Sequence, residues 1–247
     1  MYVVGYPKSG NTWLCYLLAY SLNVEFDDYD NPGIYPTKEH LRKLVKGGHA
    51  HKSFIKEAGE ILKTHKSVRE IDQDLPIIYL VRDGRDVMTS YYHYEYAYKR
   101  GQKIFEPGMP LKSRLHRARW KLQTTFVKSD FSQYLRKRGP EWGEHVMDWL
   151  ESEQISIIKY EDMIENTSGA LRALYTKLGL DAESTVIDKA VDVFCFDRMT
   201  GRNAGKEEKG AFFRKGVAGD WINHFSKDDE EYFESVSGAA LKRLGYI

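Results

Sequence analysis

The start of the chain constrains the fold most, because it places a hydrophobic run, a glycine-bounded loop and an apolar segment in immediate succession. The run Tyr2 to Val4 predicts a buried strand, Gly5 to Gly10 a tight loop, and Asn11 to Leu22 a helix. Such a loop directs successive backbone N–H groups into one concavity at a helix N-terminus, where the helix dipole also favours an anion. This stretch therefore predicts an α/β chain with a phosphate-binding loop.

The loop differs at one position from the loop that binds nucleoside triphosphates. Gly5 and Gly10 have the spacing of G-x-x-x-x-G-K-[ST], and Thr12 occupies the Ser/Thr position. The lysine that normally reaches the β and γ phosphates beside magnesium is replaced by Asn11, and Lys8 lies inside the loop instead. This favours a single 5′ anion with Lys8 directed at the group attached to it. A small-molecule P-loop kinase that uses ATP and magnesium is the competing interpretation.

Residues 7–13, P-K-S-G-N-T-W, resemble the 5′-phosphosulfate loop of sulfotransferases that use 3′-phosphoadenosine 5′-phosphosulfate (PAPS). Further segments resemble that family in the same order along the chain, so that the resemblance covers residues 2–225. It implies a three-layer, P-loop-like α/β fold with a central parallel sheet of about five strands and helices on both faces. It also implies that the loop binds PAPS, or its product adenosine 3′,5′-bisphosphate (PAP), through Lys8, Ser9, Gly10, Asn11, Thr12 and Trp13.

A candidate base, His65, ends the next predicted strand, which begins at Ile61. Ligands of open α/β sheets bind beyond the carboxyl ends of the strands, where His65 would lie. The K-T-H sequence at 63–65 also resembles the family segment that contains the catalytic base. The resemblance thus implies that His65 takes the acceptor proton, that Lys8 stabilises the leaving phosphate, and that Lys63 assists near the sulfuryl oxygens.

The 3′-phosphate is assigned to two segments. The apolar run Pro76 to Val81 is typical of a central parallel strand, and Arg82 follows it. Arg82 and Ser90 match family residues that hold the 3′-phosphate, whereas a surface ion pair is the alternative for Arg82. Asp83 is interpreted as a helix N-cap rather than as a magnesium ligand of a kinase. The segment R-K-G-x-x-G-D-W at 214–221 resembles a second family motif, which implies phosphate contacts from Arg214, Lys215 and Gly216.

Aromatic side chains are assigned to the adenine. Tyr160, in Y-E-D-M at 160–163, resembles the family tyrosine that contacts this base, and Phe196 resembles the aromatic opposite Trp13. Core packing is the alternative for all three. The surrounding pattern predicts a buried strand at Ile155 to Ile158 and a turn-rich loop at Asp27 to Pro36. It predicts helices at Glu141 to Glu153, Thr167 to Leu178 and Asp181 to Val193.

Composition limits the classes of protein. With 247 residues, 42% of them hydrophobic, the chain suits one sulfotransferase domain over residues 1–247. Its 37 basic and 36 acidic side chains give a charge of +1, so no overall field favours nucleic acid or membrane. Two cysteines argue for a reducing compartment, and the apolar run Trp13 to Tyr20 is too short to span a bilayer. We therefore expect a cytoplasmic protein.

No metal is expected, and the acceptor is only loosely bounded. His40, His49 and His51 have no Cys or carboxylate at ligand spacing. The tyrosines between residues 91 and 98 favour a small hydroxylated acceptor in an aromatic-lined pocket. A polysaccharide acceptor would instead use the basic residues Arg114, Arg117 and Lys121. A nonenzymatic nucleotide-binding module is a third interpretation, which the presence of both Lys8 and His65 disfavours.

The family's dimer segment, K-x-x-x-T-V-x-x-x-E after G-D-W, is not retained. Ile222, Ser226, Lys227 and Glu231 stand at its four fixed positions, so that only the glutamate remains. A two-fold interface is self-complementary, and each loss would therefore occur twice. We expect a monomer or pairing through another surface.

Overall fold

A computed structural model describes residues 1–30, 60–99, 128–208 and 211–247. Its strands are β1 (Tyr2–Val4), β2 (Phe26–Asp28), β3 (Ile61–Thr64), β4 (Ile77–Val81) and β5 (Ile155–Lys159). Its α-helices are α1 (Asn11–Leu22), α2 (Gly84–His93), α3 (Lys128–Leu150), α4 (Tyr160–Glu165), α5 (Thr167–Leu178), α6 (Ser184–Val193), α7 (Phe196–Thr200) and α8 (Lys227–Leu244). A π-helical stretch, Tyr94–Lys99, continues α2, and the segments Val68–Glu70 and Asp220–Asn223 are 3₁₀ helices.

The strands form one parallel sheet in the order β2-β3-β1-β4-β5. β1 is central because all three of its residues are buried and it pairs on both sides, with Val4 opposite Thr64 and Tyr79. Helix α1 packs on β1 and β3, α6 packs on α1, and α5 packs on β5. The prediction of a parallel α/β sheet of about five strands is confirmed.

The chain forms two compact units. The first comprises Met1–Arg82 and His145–Arg202 and contains the whole sheet, whereas the second comprises Asp83–Glu144 and Asn203–Ile247. The expectation of a single sulfotransferase domain stays a prediction. Cys15 is buried in α1 and, like Cys195, is not part of a disulfide.

The predictions of a loop from Asp27 and of a buried strand at Ile155 to Ile158 were wrong in detail. Part of the expected loop after α1 is the edge strand β2, because pairing with β3 outweighs the low strand propensity of its aspartates. Strand β5, expected to be buried, lies at the other edge of the sheet and alternates. Its Ile158 is buried, while Ile157 is 37% exposed.

The helix predicted at Glu141 to Glu153 is longer at its start and begins at Lys128. Although this helix contains Gly139 and Pro140, buried side chains recur at helical spacing along it. Proline 140 lacks the N–H that would bond the carbonyl of Arg136, and the hydroxyl of Tyr232 donates to that carbonyl at 3.1 Å instead. The buried stripe comprises Phe131, Leu135, Trp142, Val146 and Trp149.

Candidate functional site

The predicted site residues of the first unit follow the carboxyl ends of adjacent parallel strands. The loop that begins at Gly5 follows β1, His65 follows β3, Arg82 follows β4, and Tyr160 follows β5. The ends are in register, since Val4 lies opposite Thr64 and Val81 lies opposite Lys159. Four predicted functional segments therefore lie together at the carboxyl ends of the strands, which is where open α/β proteins bind ligands.

The glycines of the loop are required by close contacts. A Cβ on Gly5 would lie 2.5 Å from the carbonyl oxygen of Leu80. Gly10 has φ 111°, and a Cβ there would lie 2.8 Å from the Tyr160 ring. Lys8 also adopts a left-handed conformation, with φ 73°, which costs a non-glycine residue about 1 kcal/mol or more. The backbone thus bends sharply at Lys8 and again at Gly10.

Helix α1 begins at this bend with a glycine at its N-cap. A glycine brings no cap side chain over the first-turn N–H groups, and this turn contains no acidic residue. Ser9, Asn11 and Thr12 are buried around it. This is the arrangement by which helix N-termini bind phosphate.

Asn11, at the position of the triphosphate lysine, ties the loop to the sheet. Its Nδ2 donates to the Gly5 carbonyl at 3.3 Å and to the Thr64 carbonyl at 3.5 Å. The amide nitrogen of the side chain therefore stabilises the fold, while the backbone N–H of Asn11 lies in the first turn of α1. Cofactor binding by Asn11 stays a prediction.

His65 is held with a defined proton arrangement. Its Nδ1 lies 2.6 Å from the Gly5 carbonyl oxygen, and because a carbonyl can only accept, Nδ1 carries the hydrogen. Burial, with a smaller contribution from the charge of Lys63, lowers the pKa of His65 to about 3. At neutral pH the ring is therefore uncharged and has its lone pair on Nε2. An uncharged imidazole with one committed N–H is the form in which histidine acts as a base.

Two aspartates at the end of β2 hold the K-T-H segment. The buried ammonium of Lys63 lies 2.6 Å from Asp28 Oδ2. Asp30 Oδ2 accepts from the His65 backbone N–H and from the Thr64 hydroxyl, each at 3.2 Å. Sequence reasoning missed both carboxylates because it assigned them to a loop. The position of Asp28 opposite Lys63 in the β2–β3 register is the signal that identifies the pair once the strand is recognised.

Arg82 and Tyr160 pack beside the loop. The guanidinium of Arg82 lies 4.3 Å from the Tyr160 ring centroid, and its Nη1 donates to the Lys8 carbonyl at 3.4 Å. The Trp13 ring meets Tyr160 edge-on at 6.0 Å, and its Nε1 donates to the Phe194 carbonyl at 2.8 Å. Arg82, Tyr160 and Trp13 are thereby brought together around the loop.

The predicted partner of Trp13 lies at the start of α7. There the Phe196 ring has the guanidinium of Arg202 at 5.3 Å from its centroid. Adenine contacts from Trp13, Tyr160 and Phe196 stay predictions.

The second unit contains Ser90, in α2, and an ionic cluster around Asp220. This buried carboxylate accepts from Arg214 Nη2 at 2.5 Å and also from the ammonium of Lys215. His224 Nε2 lies 3.2 Å from the same carboxylate. Although burial alone would raise it, hydrogen bonds from His224, Lys215 and Arg214 hold the pKa of Asp220 well below its usual range. Asp220 was not identified from the sequence, although it is the Asp of G-D-W.

Helix α2 fixes the backbone on both sides of Asp220. Asp86 Oδ2 accepts from Gly219 N at 2.6 Å, and its Oδ1 accepts from Trp221 N at 2.9 Å. Asp83 caps the same helix by accepting from Arg85 N at 2.9 Å, and it also pairs with the Arg85 guanidinium at 2.7 Å. The N-cap prediction for Asp83 is confirmed. Both of its carboxylate oxygens accept hydrogen bonds from Arg85, which disfavours the role of magnesium ligand that a kinase would give this residue.

Among the described residues, no cluster of three or more His, Cys, Asp or Glu side chains could hold a metal ion. Likewise, none of the described helices is long and apolar enough to cross a bilayer. His40, His49 and His51, and the basic residues Arg114, Arg117 and Lys121, lie outside the described residues.

The residues at the positions of the family's dimer segment make contacts within the second unit. Ser226 caps α8 in a reciprocal pair with Asp229, and Lys227 pairs with Glu231 at 3.6 Å on the helix surface. Ile222 is 68% exposed.

The sheet order and the strand, loop and helix around Gly5 to Gly10 define a P-loop-like α/β protein, in which residues 5–10 form the predicted anion-binding loop. The sulfotransferase domain family model matches residues 1–245. The chain belongs to the sulfotransferase family of enzymes.

Relatives and solved structures agree with this assignment. Cytosolic sulfotransferase 1 of Danio rerio is 28% identical, over 97% of this chain and 82% of its own length. Sulfotransferase 1C2 of Homo sapiens is 26% identical, over 94% of this chain and 79% of its own length. The structure of mouse sulfotransferase SULT7A1 complexed with PAP has a TM-score of 0.64 at 20% identity, covering 98% of this chain and 83% of that one. A retinol dehydratase in complex with androsterone and the inactive cofactor PAP has a TM-score of 0.58 at 17% identity, covering 98% of this chain and 80% of that one.

Proposed function

We propose that the protein transfers the sulfuryl group of PAPS to a hydroxyl or amine of an acceptor, with His65 as the base. The observation that carries this proposal is the 2.6 Å contact between His65 Nδ1 and the Gly5 carbonyl. Because Nδ1 donates in this contact, the lone pair on Nε2 is available to accept a proton. The same contact fixes His65 next to Gly5, the first residue of the anion-binding loop. Family membership and the PAP complexes of SULT7A1 and retinol dehydratase support PAPS as the donor.

In the proposed reaction the acceptor oxygen attacks sulfur in line with the bond to the 5′-phosphate. His65 Nε2 takes the acceptor proton, a new S–O bond forms, and the bond between sulfur and the bridging oxygen breaks. Lys8 and the first-turn N–H groups of α1 stabilise the charge that develops on the departing phosphate. Because sulfuryl transfer demands little covalent chemistry from the protein, positioning and charge supply most of the rate.

The remaining assignments rest on the motifs. We infer that Ser9, Gly10, Asn11, Thr12 and Trp13 bind the 5′ end, while Tyr160 and Phe196 contact the adenine. Arg82, Ser90, Arg214, Lys215 and Gly216 are assigned to the 3′-phosphate. Lys63 is paired with Asp28, so any help it gives to the sulfuryl oxygens comes from a cation that a carboxylate already partly neutralises.

Location and acceptor are likewise inferred. We propose a cytoplasmic enzyme, supported by the name of its Danio rerio relative, and an acceptor that is a small hydroxylated molecule. The described tyrosines support such an acceptor by forming an aromatic cluster, in which Tyr92 stacks on Tyr96 at 4.4 Å and meets Tyr134 edge-on at 5.5 Å. Exclusive sulfation of a polyanionic polysaccharide would contradict the preference for a small acceptor.

Thermal shifts and labelled transfer test the proposed reaction. PAP should raise the melting temperature without any metal, and chelation with EDTA should leave transfer from radiolabelled PAPS unchanged. Stabilisation by ATP with magnesium but not by PAP would instead support a kinase. Binding of PAP without transfer to any acceptor of a broad panel would indicate a nonenzymatic module.

A further inference from the structure

His145 lies near the end of α3 and contacts the segment that contains the proposed base. Its Nε2 is 3.2 Å from the carbonyl oxygen of His65, and its Nδ1 is 3.0 Å from the hydroxyl of Tyr79 on β4. Its ring also meets Tyr6, in the anion-binding loop, edge-on at 5.5 Å. One side chain thus contacts the base segment, the central sheet and the loop, all within the first unit.

The partners of His145 define the direction of its hydrogen bonds. The His65 carbonyl can only accept, so Nε2 of His145 carries a hydrogen and donates it. Burial lowers the pKa of His145 to about 4, and burial also raises the pKa of Tyr79 well above its usual range. The ring is therefore uncharged at neutral pH, and its Nδ1 accepts from the Tyr79 hydroxyl. The chain of donors runs from Tyr79 through His145 to the His65 carbonyl.

We propose that His145, oriented by Tyr79, is a positioning residue that holds His65 in the geometry needed for proton transfer; this proposal rests on the proposed role of His65 as the base. Each polar group of His65 other than Nε2 has a partner. The carbonyl accepts from His145, the backbone N–H donates to Asp30, and Nδ1 donates to Gly5. The ring and its backbone are thereby fixed together, and Nε2 is left for the acceptor.

The neighbouring residue is held from the same helix. Trp149 lies one turn after His145 and donates from Nε1 to the Lys66 carbonyl at 3.1 Å. Its ring also stacks on Tyr79 at 5.5 Å. The end of α3 therefore supports two successive carbonyls beyond β3. Support of this kind matters because a misplacement of about 1 Å at a reacting group costs on the order of 100-fold in rate.

Three variants and a control test this role. His145→Leu removes the donor to the His65 carbonyl, whereas His145→Gln retains an amide N–H in a similar place. Tyr79→Phe leaves the histidine but removes the hydroxyl that orients it, with little change of shape. Tyr175→Phe is the control, because it also removes one buried hydroxyl, which is hydrogen-bonded to Ser21 away from the K-T-H segment.

Rates and binding should separate in these variants. We expect His145→Leu to lower kcat by about 10–100-fold, Tyr79→Phe by roughly 3–10-fold, and His145→Gln by less than His145→Leu. The affinity for PAP and the KM for PAPS should stay within about twofold, since uniform binding is not removed. If kcat of His145→Leu and Tyr79→Phe falls no further than that of Tyr175→Phe, the positioning role is wrong.

A measurement on the protein without substrate keeps this proposal separate from the proposed function. Nitrogen-15 NMR of the histidine rings should show the wild-type His65 as one tautomer, with hydrogen on Nδ1. In His145→Leu we expect that signal to broaden or to show a mixture of tautomers. An unchanged His65 signal in His145→Leu would overturn the positioning role even if transfer by the wild-type protein is confirmed. Failure of the wild-type protein to transfer sulfuryl groups would count against the proposed function instead.

Discussion

Two networks of ionisable side chains, a pair of histidines in the first unit and a cluster around Asp220 in the second, differ in charge. In the first unit, His65 and His145 are joined through backbone carbonyls, and their lowered pKa values keep both rings uncharged at neutral pH. In the second unit, Asp220 is charged and collects Arg214, Lys215 and His224 around one buried carboxylate. The two histidines are uncharged at neutral pH, whereas the Asp220 cluster brings several charged side chains together.

This difference matches the two tasks that we propose for these regions, proton transfer and binding of the 3′-phosphate. A group that must accept a proton works best when it is uncharged and fixed, because its lone pair is then available without reorganisation. A group that must bind a dianion works best when cations are already assembled, and a carboxylate between two cations holds them together before the ligand arrives. Removing a charged group should therefore cost most stability in the Asp220 cluster, whereas a steric change should matter most around the loop of the first unit.

The largest effect is expected from Asp220→Ala. Removing a buried carboxylate leaves Arg214 and Lys215 without their shared partner, which typically costs about 3–5 kcal/mol of unfolding free energy. Denaturant unfolding measures this loss. As a control, Asp192→Ala breaks an exposed pair with Arg198 at 2.8 Å and should cost about 1 kcal/mol or less. Equal losses for the two variants would show that the Asp220 cluster is not a structural centre.

The pH dependence of stability should distinguish the two networks. For His65 and His145, the folded pKa lies below the unfolded value, so stability falls as the pH drops from about 6.5 towards 4. For Asp220 the folded pKa is also lowered, but from the carboxyl range, so its contribution is lost only below about pH 4.

Variants assign each pH range to its network. His145→Gln should flatten the change between pH 6.5 and 4 by on the order of 2 kcal/mol, whereas Asp220→Asn should leave that range unchanged. Melting temperatures measured across pH 3 to 8 provide the comparison. The assignment is wrong if His145→Gln keeps the wild-type slope over this range.

A smaller loss of stability is expected from a steric change in the loop of the first unit. Gly10→Ala places a Cβ 2.8 Å from the Tyr160 ring at a φ of 111°, whereas Gly179→Ala meets no atom within 4 Å at a φ of 63°. Both variants bear backbone strain of about 1 kcal/mol, and only Gly10→Ala adds a steric conflict. We therefore expect Gly10→Ala to lose about 1–2 kcal/mol more stability and most of its PAP affinity. Similar PAP affinities for the two variants would argue against the loop as the 5′ site.

The assembly prediction carries the smallest expected change. Lys227 and Glu231 already pair along the exposed face of α8, so Glu231→Arg should leave the mass in solution as it is in the wild-type protein. A wild-type mass near the chain value of 28.7 kDa would indicate a monomer. Light scattering provides the measurement. A wild-type mass of about 57 kDa that falls by half in Glu231→Arg would show that this segment does form a dimer.

Local patterns predicted β1, the loop and α1 from the sequence, because apolar runs and glycines determine these elements within a few residues. They did not predict β2 or the first half of α3. Asp28 of β2 pairs with Lys63 of the neighbouring strand β3, and Pro140 is accommodated in α3 because the Tyr232 hydroxyl replaces its missing donor. In both cases the stabilising residue is distant in the chain, so a local sequence pattern does not include it.

The same distinction applies to the candidate site. His65 and Lys8 are proposed as site residues from their motifs, because the chemistry lies in the residue types themselves. His145, Asp30 and Asp220 were missed as site residues, since their roles depend on which backbone groups and cations they reach after folding. Asp220 lies in the G-D-W motif, but neither His145 nor Asp30 belongs to a local motif that would mark it.

The transfer rate of His65→Ala tests the central claim most directly. We expect turnover with labelled PAPS to fall by about 10²–10⁴-fold, while PAP still raises the melting temperature as it does in the wild-type protein. In the wild-type protein, the acid limb of kcat/KM should lie well below pH 6.5, because burial lowers the pKa of the His65 ring. Near wild-type turnover by His65→Ala would contradict the account and remove His65 as the base.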